Sequence, residues 1–164
     1  VGAEEDSGQD RPAVWTSSDG REWSAFRLSQ ASGTVLDLAS GPNSLVAVGR
    51  VGNEFQSRPI AWLSGDGVRW NDRALGRPED TSATDVVANA LGFATNVRAG
   101  GFEQLFPDRV WFEPVGGSAE VQDVQAWVID MAATDSRFFG ITACPPTASC
   151  FGGNYLATGS LWAP

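Results

Sequence analysis

The chain has no lysine and no histidine, a single methionine, a single tyrosine and two cysteines among its 164 residues. Each absence removes a class of chemistry. Without histidine there is no imidazole base, no Ser-His-Asp triad and no histidine-ligated zinc. Without lysine there is no Schiff base and no phosphate-loop lysine. All eleven basic residues are arginine, against twenty acidic ones, for a net charge of −9 at pH 7. A surface of that sign repels phosphate backbones, so nucleic acid is not an expected partner. No apolar run approaches the roughly 18 to 20 residues needed to cross a bilayer, so no membrane span is expected. No basic stretch leads into an apolar segment at the start either. The chain begins at Val1 and is read as a processed form or an excerpt of something longer.

What is present is mostly apolar and turn-forming. Hydrophobic residues make up 42%, with 19 glycines, 9 prolines and 7 tryptophans, a composition that supports a packed core. The two cysteines, Cys144 and Cys150, lie in a polar, turn-rich stretch. Their spacing suits a small loop closed by a disulfide in an oxidising compartment; two unpaired thiols are the alternative.

Self-similarity organises the rest. Pro12 to Trp23 lies over Pro59 to Trp70 without a gap, so Trp15 and Trp23 recur 47 residues later as Trp62 and Trp70. The unit restarts at Trp111, 49 residues on, and at Trp162, 51 further. Between these anchors Val35-Leu36-Asp37-Leu38-Ala39 is echoed around Asp85 and again around Asp130. Each echo leads through a turn into a second apolar run, at Leu45, Gly92 and Phe138. The runs are short, rich in Val, Phe and Trp, and bounded by Gly, Pro, Asn and Asp. That pattern predicts strands and hairpins, with no helix-length 3.6 period anywhere. Four short strands per unit of nearly 50 residues fit a β-propeller blade. The expected fold is therefore all-β, one incomplete β-propeller of about three and a half four-stranded blades, in pieces of approximately 1–30, 31–79, 80–126 and 127–164.

The repeated turn has a mechanism. In Ser17-x-Asp19-Gly20-x-x-Trp23 and Ser64-x-Asp66-Gly67-x-x-Trp70 the carboxylate is placed to accept backbone N–H groups. The glycine supplies a positive φ, and the tryptophan is expected to cover the hairpin. The third copy, Glu113 to Ala119, has lost the Asp and the second Trp. This turn resembles the Asp-box of sialidase-like (BNR-repeat) propellers, Ser-x-Asp-x-Gly-x-x-Trp, one residue shorter, and with it the chain is similar to secreted bacterial propeller proteins. The resemblance implies a propeller fold and an extracellular location. It does not carry one function, since such boxes occur in glycosidases, lectins, receptors and assembly factors. A sialidase would bring an arginine clamp, a tyrosine nucleophile assisted by Glu and an acid/base Asp. Here the sole tyrosine is Tyr155, and Arg11-Pro12-Ala13 and Arg58-Pro59-Ile60 do not match the Arg-Ile-Pro signature. Arg11 and Arg58 share one repeat position and Arg109 heads the same strand of the third copy, which favours a fold role.

Two ligand sites are expected. Asp37, Asp85 and Asp130 occupy one position of the first strand of successive repeats and form either a ring that holds a ligand or backbone-capping groups. The variable connections Ala3 to Asp10, Val51 to Ser57, Val97 to Asp108 and Ala143 to Asn154 offer acidic and aromatic side chains. They include Glu4, Glu5, Asp6, Asp10, Glu54, Phe55, Phe102, Glu103, Phe106 and Phe151. Such loops suit a protein or carbohydrate ligand. No catalytic residue, metal or cofactor is assigned. The leading reading is a non-enzymatic binding or scaffold module; the alternative is a divergent glycoside hydrolase whose catalytic groups lie partly in further blades. The incomplete blade count also leaves an open edge, to be covered by further blades or another subunit.

Overall fold

In the computed structural model, which describes residues 1–42, 44–53, 56–77, 80–99, 108–124 and 127–143, the chain is all-β, with no helix among the described residues. Among the described residues thirteen strands form four antiparallel sheets, each built from strands consecutive in the chain. Sheet I holds β1 (Gly2–Asp6), β2 (Gln9–Thr16) and β3 (Ser24–Arg27). Sheet II holds β4 (Gly33–Ser40), β5 (Leu45–Gly52), β6 (Ser57–Ser64) and β7 (Asn71–Ala74). Sheet III holds β8 (Asp80–Asn89), β9 (Gly92–Ala99), β10 (Arg109–Pro114) and β11 (Glu120–Asp123). Sheet IV pairs β12 (Trp127–Thr134) with β13 (Arg137–Ala143). Each sequence piece contains one sheet. No helix among the described residues is long and apolar enough to cross a membrane.

The sheets pack face to face in chain order, and this explains why the middle strands are apolar on both sides. In β5, Ala47 and Val51 join Val14, Ile60 and Trp62 between sheets I and II. The alternate residues Val46 and Val48 join Ala83, Val86, Phe93 and Val97 between sheets II and III. Ala94 and Val110 then meet Val128, Met131 and Phe138 between sheets III and IV. A period of two thus sends every second side chain to a different core. Burying Trp62 removes one of the largest apolar surfaces from water, and its truncation to Ala costs about 3–5 kcal/mol.

Two expectations are corrected. Ala3 to Asp10 is not a loop: β1 and β2 pair from Gly2↔Ala13 to Asp6↔Gln9, and only Ser7 and Gly8 turn, both at positive φ as a two-residue hairpin demands. Glu4 and Asp6 sit in a strand with their charges neutralised by arginines on the same sheet. Arg27 holds Glu4 at 3.1 Å and Asp6 at 2.9 Å, and Arg11 holds Asp6 at 3.3 Å. The second correction concerns Trp23, which is 60% exposed and covers little. Trp70 packs against the core between sheets I and II, whereas no sheet lies on the corresponding side of sheet I among the described residues.

Candidate functional site

The repeated turns are built alike. Asp19 Oδ1 accepts the N–H groups of Arg21 (2.8 Å) and Glu22 (3.1 Å), and Ser17 Oγ accepts that of Gly20 (2.8 Å). Forty-seven residues on, Asp66 Oδ1 accepts from Val68 (2.9 Å) and Arg69 (2.8 Å), and Ser64 Oγ from Gly67 (2.8 Å). Gly20 and Gly67 have φ of 73° and 74°, the left-handed region that favours glycine. Backbone N–H donors, from Arg21 and from Arg69 respectively, hold both carboxyls below their ordinary range. The Trp70 indole N–H closes its turn on the Gly67 carbonyl at 3.2 Å. In the third copy Gly116 turns the chain at φ 70°, with a Gly117 N–H to Pro114 carbonyl bond of 3.2 Å in place of the Asp.

The three first-strand carboxylates lie at three equivalent irregularities. In β4 the register slips between Val35 and Asp37, in β8 between Ala83 and Val86, and in β12 between Val128 and Asp130. Asp37, Asp85 and Asp130 thus each lie at a one-residue bulge, a device that re-aims side chains. Asp37 bridges sheets: Oδ1 accepts the Leu38 N–H and Oδ2 the Val86 N–H of sheet III, both at 2.8 Å. Asp130 Oδ1 accepts the Met131 N–H at 2.8 Å, and Asp85 Oδ2 accepts the Thr84 hydroxyl at 2.9 Å. No group of three or more His, Cys, Asp or Glu side chains is arranged to hold a metal ion among the described residues.

A polar knot beside Asp85 was not anticipated from sequence. Asn96 Nδ2 donates to Thr84 Oγ1 (3.1 Å), the Val128 carbonyl (3.3 Å) and Asp108 Oδ2 (3.4 Å), while Asp108 Oδ2 also accepts the Val128 N–H at 2.8 Å. Burial pushes the Asp108 carboxyl up, against the lowering effect of the Val128 N–H. The knot joins sheets III and IV. Arg109, placed by sequence with Arg11 and Arg58, pairs with buried Asp80 and with Asp123.

A groove of about 580 Å³ lies where the β1–β2 turn meets the entry to β4 and the end of β5. Its walls are polar or glycine throughout: Glu5, Gln9 and Asp10 from sheet I face Ser32, Thr34, Arg50 and Asn53 from sheet II, with Gly8, Gly33 and Gly52 between. Glu5 and Asp10 are direct cross-strand partners, so both carboxylates project from one face of sheet I. Neither forms an ion pair among the described residues, in contrast to Glu4 and Asp6 on the opposite face. Of the expected loop residues, the groove therefore gathers Glu5 and Asp10. Glu54, Phe55, Phe102, Glu103, Phe106 and Phe151, together with Cys144, Cys150 and Tyr155, lie outside the described residues. The clue to the pair was the Ser7-Gly8 dipeptide, a hairpin signal centred between acidic residues.

Fold and groove together define an all-β protein of consecutively stacked sheets with an acidic polar cleft at one end. No protein-family model and no curated protein matches the chain.

Proposed function

We propose that the four sheets are consecutive blades of a β-propeller and that the chain is a non-enzymatic binding or scaffold module of an extracellular protein, taking a protein or carbohydrate ligand on the face that holds the groove. Support for the propeller comes from sheets made of consecutive strands, stacked in chain order and repeating at nearly 50 residues. The cysteine spacing and the turn resemblance support the location. One observation carries the binding role: the cross-strand pair Glu5 and Asp10, two carboxylates without an ion-pair contact among the described residues in a polar groove whose one cation is Arg50. Like charges directly opposite each other destabilise a sheet. The neighbouring Glu4 and Asp6 show how this chain neutralises acids that serve only the fold. A ligand that brings its own positive or hydroxyl donors removes the repulsion and fills the cleft.

The test is an array of basic, neutral and acidic peptides beside neutral and charged oligosaccharides, probed with the wild-type chain and with E5K/D10K. Retention on donor-rich ligands, weakened by salt and lost in the variant, is the expected result. No retention, or retention that E5K/D10K leaves unchanged, contradicts the proposal.

A further inference from the structure

The knot between sheets III and IV is short of hydrogen-bond donors. Asn96 is fully buried, and its Nδ2 is shared among Thr84 Oγ1, the Val128 carbonyl and Asp108 Oδ2, yet its own oxygen Oδ1 has no hydrogen-bond partner. Asp108, only 5% exposed, takes both of its bonds on Oδ2, from the Val128 N–H and from Asn96, and none on Oδ1 among the described residues. The polar amide is particular to this joint. Trp111↔Thr95 and Val110↔Asn96 repeat Trp62↔Ala47 and Ala61↔Val48, so Asn96 stands where sheet II turns the apolar Val48 toward its neighbour. No cation is paired with Asp108. All eleven cationic side chains are arginines and all lie among the described residues, but none makes an ion pair with it. Arg109, next in sequence, turns to Asp80 and Asp123. The charges that act on Asp108 through space are Arg98 of β9 and Asp85 of β8, while sheet IV meets it through the Val128 N–H. Burial, helped by Asp85, pushes the carboxyl up against the pull of Val128, Arg98 and Asn96.

We infer that Asp108 and Asn96 form a proton-bridged acid-amide pair, in which the Asp108 carboxyl holds a proton on Oδ1 and donates it to Asn96 Oδ1, and that this pair makes the joint between sheets III and IV tighten with acid. A carboxylic acid and a primary amide are planar forks of matching shape. One arm of each already meets the other, Nδ2 on Oδ2, which leaves the two remaining arms, both oxygens, to face one another. Two bare acceptors repel. A proton between them converts the repulsion into a hydrogen bond and gives each orphaned oxygen a partner. Oδ2 keeps the Val128 and Asn96 N–H groups that it binds already. The proton is taken from water and returned to it, so nothing else is consumed. The pH sense follows from burial: the closed joint holds the proton more firmly than the open chain, where the carboxyl has its ordinary value of 3.8. Acid therefore opposes opening, and opening becomes easier as pH rises from 3.8 through the native value.

The test is a pH titration by NMR of the full chain, isotopically labelled at the Asp and Asn side-chain carbonyl carbons, with backbone hydrogen exchange followed along β12 in wild type and in Asp108→Asn. The Asp108 Cγ signal is expected to titrate above 3.8, and the Asn96 Cγ signal to move in the same step. Across that step the protection of the β12 amides should fall relative to sheet II by up to about tenfold per pH unit, the limit set by one proton. Asp108→Asn places an N–H where the acid has its O–H, so its protection should stay level over the same range. An Asp108 carboxyl titrating at or below 3.8, an Asn96 Cγ that does not move with it, or an equal loss of protection in Asp108→Asn would each overturn the inference. Both carbonyl signals are read in the wild-type chain, so they decide the question even if Asp108→Asn fails to fold.

Discussion

Removing the Asp37 carboxylate should loosen the joint between sheets II and III. Asp37→Ala deletes two acceptors at once, one for the Leu38 N–H and one for the Val86 N–H. The two losses are unequal. Leu38 is exposed, so water replaces the lost bond at a cost of about 0.5 kcal/mol, whereas Val86 is only 4% exposed and a buried donor left unpaired costs about 1–3 kcal/mol. The expected destabilisation is about 2–3 kcal/mol, or about 5–10 °C in Tm for a chain of this size. Asp37→Asn keeps one acceptor oxygen and should lose about half as much. Asp130→Ala is the internal control: its carboxylate is exposed and caps only the neighbouring Met131 N–H, so about 0.5 kcal/mol is expected. Urea unfolding followed by tryptophan fluorescence measures all three. If Asp37→Ala costs no more than Asp130→Ala, the inter-sheet bond is not what this aspartate provides.

Trp62→Ala should cost about 3–5 kcal/mol and Trp23→Ala less than about 1 kcal/mol, because only the first is enclosed; thermal melts distinguish them. Gly49→Ala, which drives a Cβ into the Thr34 carbonyl, should cost about 2–3 kcal/mol in a thermal melt; a cost under about 0.5 kcal/mol would mean that β4 does not run that close to Gly49. The turn carboxyl of Asp66 is held below its unfolded value of 3.8, so its contribution is complete above that pH and is lost as pH falls through the lower native value. The stability difference between wild type and Asp66→Asn should therefore shrink on acidification, and parallel pH profiles would refute this. Asp108 has the opposite sign: its native value is raised, so its contribution declines as pH rises above 3.8, and Asp108→Asn should gain on wild type in that direction.

The units of the fold were legible because their turns demand particular residues. Ser-x-Asp-Gly-x-x-Trp recurs at 47 residues since only that combination satisfies two backbone N–H groups and a positive φ in so short a span. Core strands such as Leu45 to Gly49 stood out because packing on both faces requires unbroken apolar residues. β1 was hidden by its composition: Glu4, Glu5 and Asp6 read as a solvated loop until Arg27, distant in sequence, is seen to pair with two of them. The bulges at Asp37, Asp85 and Asp130 are backbone events, and no residue type announces them. The groove was only half visible, because Glu5 and Asp10 lie near each other in sequence while Ser32, Thr34, Arg50 and Asn53 reach it through the stacking of sheet II on sheet I.

The account assigns recognition to the Glu5 and Asp10 face and a bulge-seated place in the fold to Asp37, Asp85 and Asp130. The most direct test compares the affinity of one array-selected ligand for Asp85→Asn and for E5K/D10K. The account predicts wild-type affinity for Asp85→Asn and loss of binding for E5K/D10K. Loss in Asp85→Asn with E5K/D10K unaffected would move recognition to the first-strand carboxylates and contradict it.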